Sequence, residues 1–103
     1  MIAAVEDKRA EVAALCERYG VERLDLFGSA AGDGFDPGAS DLDFVVSFER
    51  RDPPDLFGRY FGLEEALEAL FGREVDLIME GALSRSRRFA ANVEASRVPL
   101  YGA

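Results

Sequence analysis

The sequence predicts an α/β (α+β) fold in which a small β-sheet is covered by helices. Three observations lead there. Segments with helical spacing of apolar residues interleave with a few short strand-like runs. Glycines and prolines fall between these segments rather than inside most of them. Hydrophobic residues make up 49% of the chain and charge of both signs is spread along it, a composition that favours a packed core over disorder. At 103 residues the expectation is one domain spanning 1–103.

The elements follow in order. Residues 2–19 read as an amphipathic helix, with Val5, Val12, Leu15, Cys16 and Tyr19 near one face and Gly20 at its C-cap. Residues 21–27 alternate as a strand, with Glu22, Arg23 and Asp25 between apolar side chains. Gly28-Ser29-Ala30-Ala31 leaves that strand and is able to begin a short helix. Gly32, Gly34, Pro37 and Gly38 mark residues 32–40 as a loop. Residues 41–48 form a second strand, with Leu42, Phe44 and Val46 on one side and Asp41, Asp43 and Val45 on the other. After Pro53-Pro54, Asp55 is placed to cap a helix over 56–71 whose Leu63, Leu67, Leu70 and Phe71 turn inward and which Gly72 ends. Residues 75–79 are a third strand, 82–95 a helix with a weak apolar face, and 98–101 either a terminal strand or an extended tail. The pattern leaves strand directions open.

Composition excludes several chemistries. There is no histidine, hence no histidine base, metal ligand or Ser-His-Asp triad. Cys16 is the single cysteine, so an internal disulfide is excluded; a cytoplasmic location is expected, with the thiol as a core residue. No apolar run approaches the ~18 residues of a membrane span, and the early acids Glu6 and Asp7 do not resemble a signal peptide. Twenty acidic against twelve basic residues give a net charge of −8, which opposes binding to a long nucleic acid. ATP is not opposed in the same way, because bound Mg²⁺ offsets charge locally.

Residues 24–46, LDLFGSAAGDGFDPGASDLDFVV, carry the chemistry. Gly28 permits a sharp turn and close approach to a phosphate, and Ser29 offers a hydroxyl and an amide. Asp41 and Asp43, two apart on a strand, leave on one face. Mg²⁺ would relieve their repulsion and bridge them to substrate phosphates. Asp76, on another strand, would either complete a two-metal site or act as base on an attacking hydroxyl. Each feature alone has an ordinary explanation, a common turn or a solvated acid; their conjunction points to nucleotidyl transfer.

At Gly28-Ser29, Asp41-Leu42-Asp43 and Asp76 the chain resembles the minimal nucleotidyltransferases, small members of the DNA polymerase β-type nucleotidyltransferase superfamily. Their pattern is Gly-Ser, a loop of about ten residues, Asp-x-Asp and a later strand Asp. The ending Arg97-Val98-Pro99-Leu100-Tyr101-Gly102 is also similar to the family's tail. The resemblance implies a nucleotidyltransferase fold with a mixed sheet, ATP as substrate with Mg²⁺, and transfer of AMP to a hydroxyl with release of pyrophosphate. It implies Asp41 and Asp43 as metal ligands, Asp76 as the third catalytic and metal-binding carboxylate, and Gly28 and Ser29 as contacts to the triphosphate.

Many short members of the family are antitoxins that add AMP to a tyrosine of a HEPN-family ribonuclease toxin. The resemblance therefore implies that partner, in a homo- or hetero-oligomer. Two other readings stand beside it: an antitoxin that neutralises its partner by contact alone, and a transferase acting on a small molecule. One departure bears on the choice. Relatives often read Gly-Ser-x-Ala-Arg-Gly, whereas this chain has Gly32-Asp33 after Gly28-Ser29-Ala30-Ala31, so a cation is missing beside the triphosphate. Arg85, Arg87 and Arg88 either replace it or form a solvated or partner-docking face. Phe57, Tyr60 and Phe61 are either core or part of a partner surface.

Overall fold

The computed structural model of the chain describes residues 1–32, 41–51 and 54–102. Its centre is a four-stranded mixed sheet built from β1 (Val21–Phe27), β2 (Leu42–Phe48), β3 (Val75–Met79) and β4 (Val98–Tyr101), in the order β3-β2-β1-β4. β1 runs antiparallel to β2 and β4, and β2 runs parallel to β3. The parallel step needs a crossover, supplied by the helix α3 (Leu56–Phe71). The terminal segment 98–101 is thus a strand, held on the free side of β1.

One sheet face carries the main core. Leu24 and Leu26 of β1, Leu42, Phe44 and Val46 of β2, and Val75 and Leu77 of β3 pack there against Val5, Val12, Cys16, Leu63 and Leu67. Cys16 is fully buried and its thiol is pushed up to about 12 by burial, as a core residue requires. α3 has the predicted bounds. Gly72, at φ +67°, takes the left-handed conformation that ends it and donates its N–H to Glu68 O.

The other face presents Asp25, Phe27, Asp43, Val45, Asp76 and Ile78 by strand alternation. A smaller core of Phe27, Val45, Leu83 and Val93 covers part of it.

Three expectations are corrected. The helix predicted over 2–19 is two pieces, α1 (Ala3–Glu6) and α2 (Arg9–Arg18). The first turn is anchored on another element, Ile2 N–H donating to Ala30 O at 3.0 Å, and this tertiary hold replaces helical continuity at Asp7-Lys8. The helix predicted over 82–95 is a 3₁₀ helix, Glu80–Arg85, followed by α4 (Arg87–Ser96). Ser86 separates them and caps α4, its Oγ accepting from Phe89 N–H at 3.2 Å. On one unbroken helix Leu83 and Val93 would diverge by about 80°; the break lets both enter the smaller core. Asp55 stands at the N-cap of α3 but at φ +40° and with no side-chain cap bond. The predicted loop 32–40 lies outside the described residues beyond Gly32.

Candidate active site

The parallel β2–β3 pairing puts Asp43 directly opposite Asp76, and the antiparallel β1–β2 pairing puts Phe27, the residue before Gly28, opposite Asp43. Cross-strand neighbours share a face at a strand spacing of about 4.8 Å. Strand pairing therefore brings the Gly-Ser turn and two of the three sequence-predicted acids to one place. Asp41 immediately precedes β2 and is exposed, as is Asp76; Asp43 is half-buried.

Gly28 meets Asp43 closely. It adopts φ +74°, and a Cβ there would lie 2.5 Å from Asp43 Oδ2. Backbone conformation and space thus both demand glycine. Gly28–Ala31 is a 3₁₀ turn. The Gly28 N–H donates to Ser96 Oγ at 3.0 Å, which ties the turn to the end of α4. Ser29 is half-buried at the head of the turn, and its carbonyl accepts from Gly32 N–H at 3.2 Å.

The acids are electrostatically coupled. Asp43 is pushed up to about 6, first by burial and then by the charges of Asp76 and Asp41. Glu64, on α3, is raised by burial and then by Glu68, Asp76 and Glu65. This crowding of like charge is what a divalent cation would relieve. Among the described residues no group of three or more carboxylate or thiol side chains is gathered as a ready-made metal cage. A hard ion such as Mg²⁺ is commonly held by one or two carboxylates together with substrate phosphates, and Asp43 in register with Asp76 offers two. The all-oxygen donor set fits it as well.

Arg85, Arg87 and Arg88 are exposed, and none makes an ion pair with Asp41, Asp43 or Asp76. The arginine that does lie on the acid face is Arg97, which the sequence reading placed only in the tail. Its Nη2 lies 2.8 Å from Asp25 Oδ2 and 2.9 Å from Glu80 Oε1. Asp25, which the strand pattern set between apolar side chains, is fully buried. The available signal was an acid inside the apolar run Leu24–Phe27, matched by an arginine next to the last strand.

A small mixed sheet that sets a Gly-Ser turn against a carboxylate pair defines the class of nucleotidyl-transfer folds. The chain belongs to the nucleotidyltransferase domain family, whose model matches residues 12–99. It is 43% identical over 70 residues to the protein adenylyltransferase MntA of Thermococcus cleftensis; the match spans 67% of this chain and 66% of that protein. A solved structure assigned as a minimal nucleotidyltransferase superposes with a TM-score of 0.73 at 34% identity, over 91% of this chain and 90% of that one. An MNT antitoxin in complex with a tri-AMPylated HEPN toxin of Shewanella oneidensis shares the fold, with a TM-score of 0.65 at 19% identity over 96% and 73% of the two chains.

Proposed function

We propose that the chain is a Mg²⁺-dependent protein adenylyltransferase that moves AMP from ATP to a tyrosine hydroxyl of a HEPN-family toxin and so acts as its antitoxin. The observation that carries this reading is the register of Asp43 on Asp76 with Gly28 packed against Asp43. The name of the Thermococcus cleftensis relative supports protein adenylylation, and the antitoxin complex of like fold supports the partner.

In this reading the backbone of Gly28 and Ser29 passes close to the triphosphate, with Ser29 offering its hydroxyl. Asp41 and Asp43 would hold Mg²⁺, which when bound would neutralise phosphate charge and stabilise the in-line displacement. The tyrosine oxygen attacks the α-phosphorus, the bond to the bridging oxygen of the β-phosphate breaks, and pyrophosphate leaves. Asp76, exposed at the edge strand, accepts the tyrosine proton. Catalysis of this kind rests on positioning and charge more than on covalent chemistry.

The test is transfer of α-labelled AMP to a purified HEPN-family toxin. Asp43→Asn and Asp76→Asn should each lower the rate by a factor of about 10³ or more while far-UV circular dichroism is retained. Undiminished transfer by the double variant would remove the site. The contact-only antitoxin has one observation in its favour, the Gly28 amide already bonded to Ser96 beside a turn lacking the usual arginine. It requires that the same variants still silence the toxin.

A further inference from the structure

α3 carries a stripe with two chemically different halves. Phe57 and Phe61 are one turn apart, as are Tyr60 and Glu64, and then Glu64 and Glu68. The N-terminal half is apolar and exposed: Leu56 is 44%, Phe57 77% and Phe61 44% accessible. With Tyr60 and Met79 these residues line an apolar hollow of about 330 Å³. The aromatic rings brace each other, with centroids 4.6 Å apart for Phe57–Phe61 and 5.1 Å for Tyr60–Phe61. The C-terminal half carries Glu64, Glu65 and Glu68.

α3 lies along the free side of β3 and runs against it. Tyr60 OH donates to Leu77 O, and Glu68 Oε2 accepts from Val75 N–H at 3.2 Å. The apolar half therefore sits beside Met79 and the acidic half beside Asp76. Seven residues separate Phe57 from Glu64, about 10 Å along the helix.

We propose that this stripe is the docking surface for the acceptor protein: Leu56, Phe57 and Phe61 receive an apolar side chain of the partner, and Glu64, Glu65 and Glu68 pair with Lys or Arg side chains about 10 Å further along it, which delivers the partner's hydroxyl to Asp76. The inference rests on the adenylyltransferase reading, whose acceptor is a protein. Charge complementarity selects the occupant. Two copies of this chain crossing antiparallel at the phenylalanines would leave both sets of glutamates unanswered in a protein of net charge −8, whereas a basic partner gains at each one. An apolar anchor with a charged rim is also the usual arrangement of an interface hot spot.

The experiment is titration calorimetry of the chain against a purified HEPN-family toxin at low and at physiological salt, with AMP transfer measured in parallel. Phe57→Ser/Phe61→Ser should weaken toxin binding at least 100-fold and leave Mg²⁺-ATP binding unchanged. Glu64→Gln/Glu65→Gln/Glu68→Gln should weaken it about tenfold at low salt and flatten the salt dependence. Wild-type affinity in the phenylalanine variant, with transfer intact, would overturn the docking surface and leave the adenylyltransferase reading standing. A wild-type chain that neither binds nor modifies the toxin would overturn both. Sedimentation showing a wild-type dimer that Phe57→Ser dissolves would assign the stripe to self-association and overturn the proposal. Phe57 is mostly solvent-exposed, so its replacement tests docking rather than folding.

Discussion

At the scale of single residues, the acid face holds two carboxylates under opposite conditions. Asp25 is buried but answered: Arg97 Nε and Arg23 Nε donate to its two oxygens at 2.8 and 3.1 Å. Arg97 also pairs with Glu80 and Glu94, so one guanidinium joins β1, the 3₁₀ helix and the end of α4. Its side chain is only 9% exposed, whereas that of Arg23 is 39% exposed. Arg97→Met should therefore leave the buried Asp25 with only the partly exposed Arg23 as its partner and cost about 3 kcal/mol. Arg23→Met should cost under about 1 kcal/mol. Urea unfolding of the two variants at unchanged slope measures the difference, and equal losses would show that Arg97 does not hold the network. Asp43 is the opposite case, half-buried among like charges and, among the described residues, with no ion pair to a cation.

At the scale of elements, α3 shows what was legible and what was not. Its bounds, its inward leucines and its terminal glycine followed from spacing and capping alone. Its inward arginine did not follow, because the spacing was read from apolar residues alone. Yet Arg59 lies at i−4 and i−8 from Leu63 and Leu67, on the buried face. There it donates to the carbonyls of Tyr19, Gly20, Glu49 and Pro54 and stacks over Phe48, 4.9 Å from the ring centroid. It thus fastens the start of α3 to the end of α2 and to the exit of β2. Arg59→Met should remove a donor from each of those carbonyls, cost about 2–3 kcal/mol, and speed amide exchange first at Glu49, whose N–H donates to Gly20 O. Exchange that stays slow there would show the junction to be held by packing instead. The candidate site divides the same way. Asp43 and Asp76 were legible as acids at comparable ends of two strands. The Ser96–Gly28 bond joins residues 68 apart in sequence, and no local pattern encodes such a pair.

At the scale of the whole molecule, a chain of net charge −8 gathers acids beside one turn, a disposition that costs the fold stability. The sign can be followed at Asp43. Its carboxyl is pushed up to about 6 in the folded state from the ordinary 3.8 of an aspartate. The folded protein therefore binds more protons than the unfolded chain between those values. The stabilisation from the protonated form is fully present below about 3.8 and is lost as pH rises through about 6. At pH 7.5 the ionised carboxylate weakens the fold. Asp43→Asn removes that charge, so the variant should melt a few degrees higher than wild type at pH 7.5. The gap should close by pH 4, where wild-type Asp43 is itself neutral in the fold. Calorimetric scans from pH 4 to 8 follow the gap, and subtraction of the variant cancels the titration of the other acids. Added Mg²⁺ at pH 7.5 should raise the wild-type melting temperature more than that of Asp43→Asn, since the cation would be drawn by the Asp43 charge. A gap that is constant with pH, or equal shifts with Mg²⁺, would mean that Asp43 carries neither the strain nor the metal.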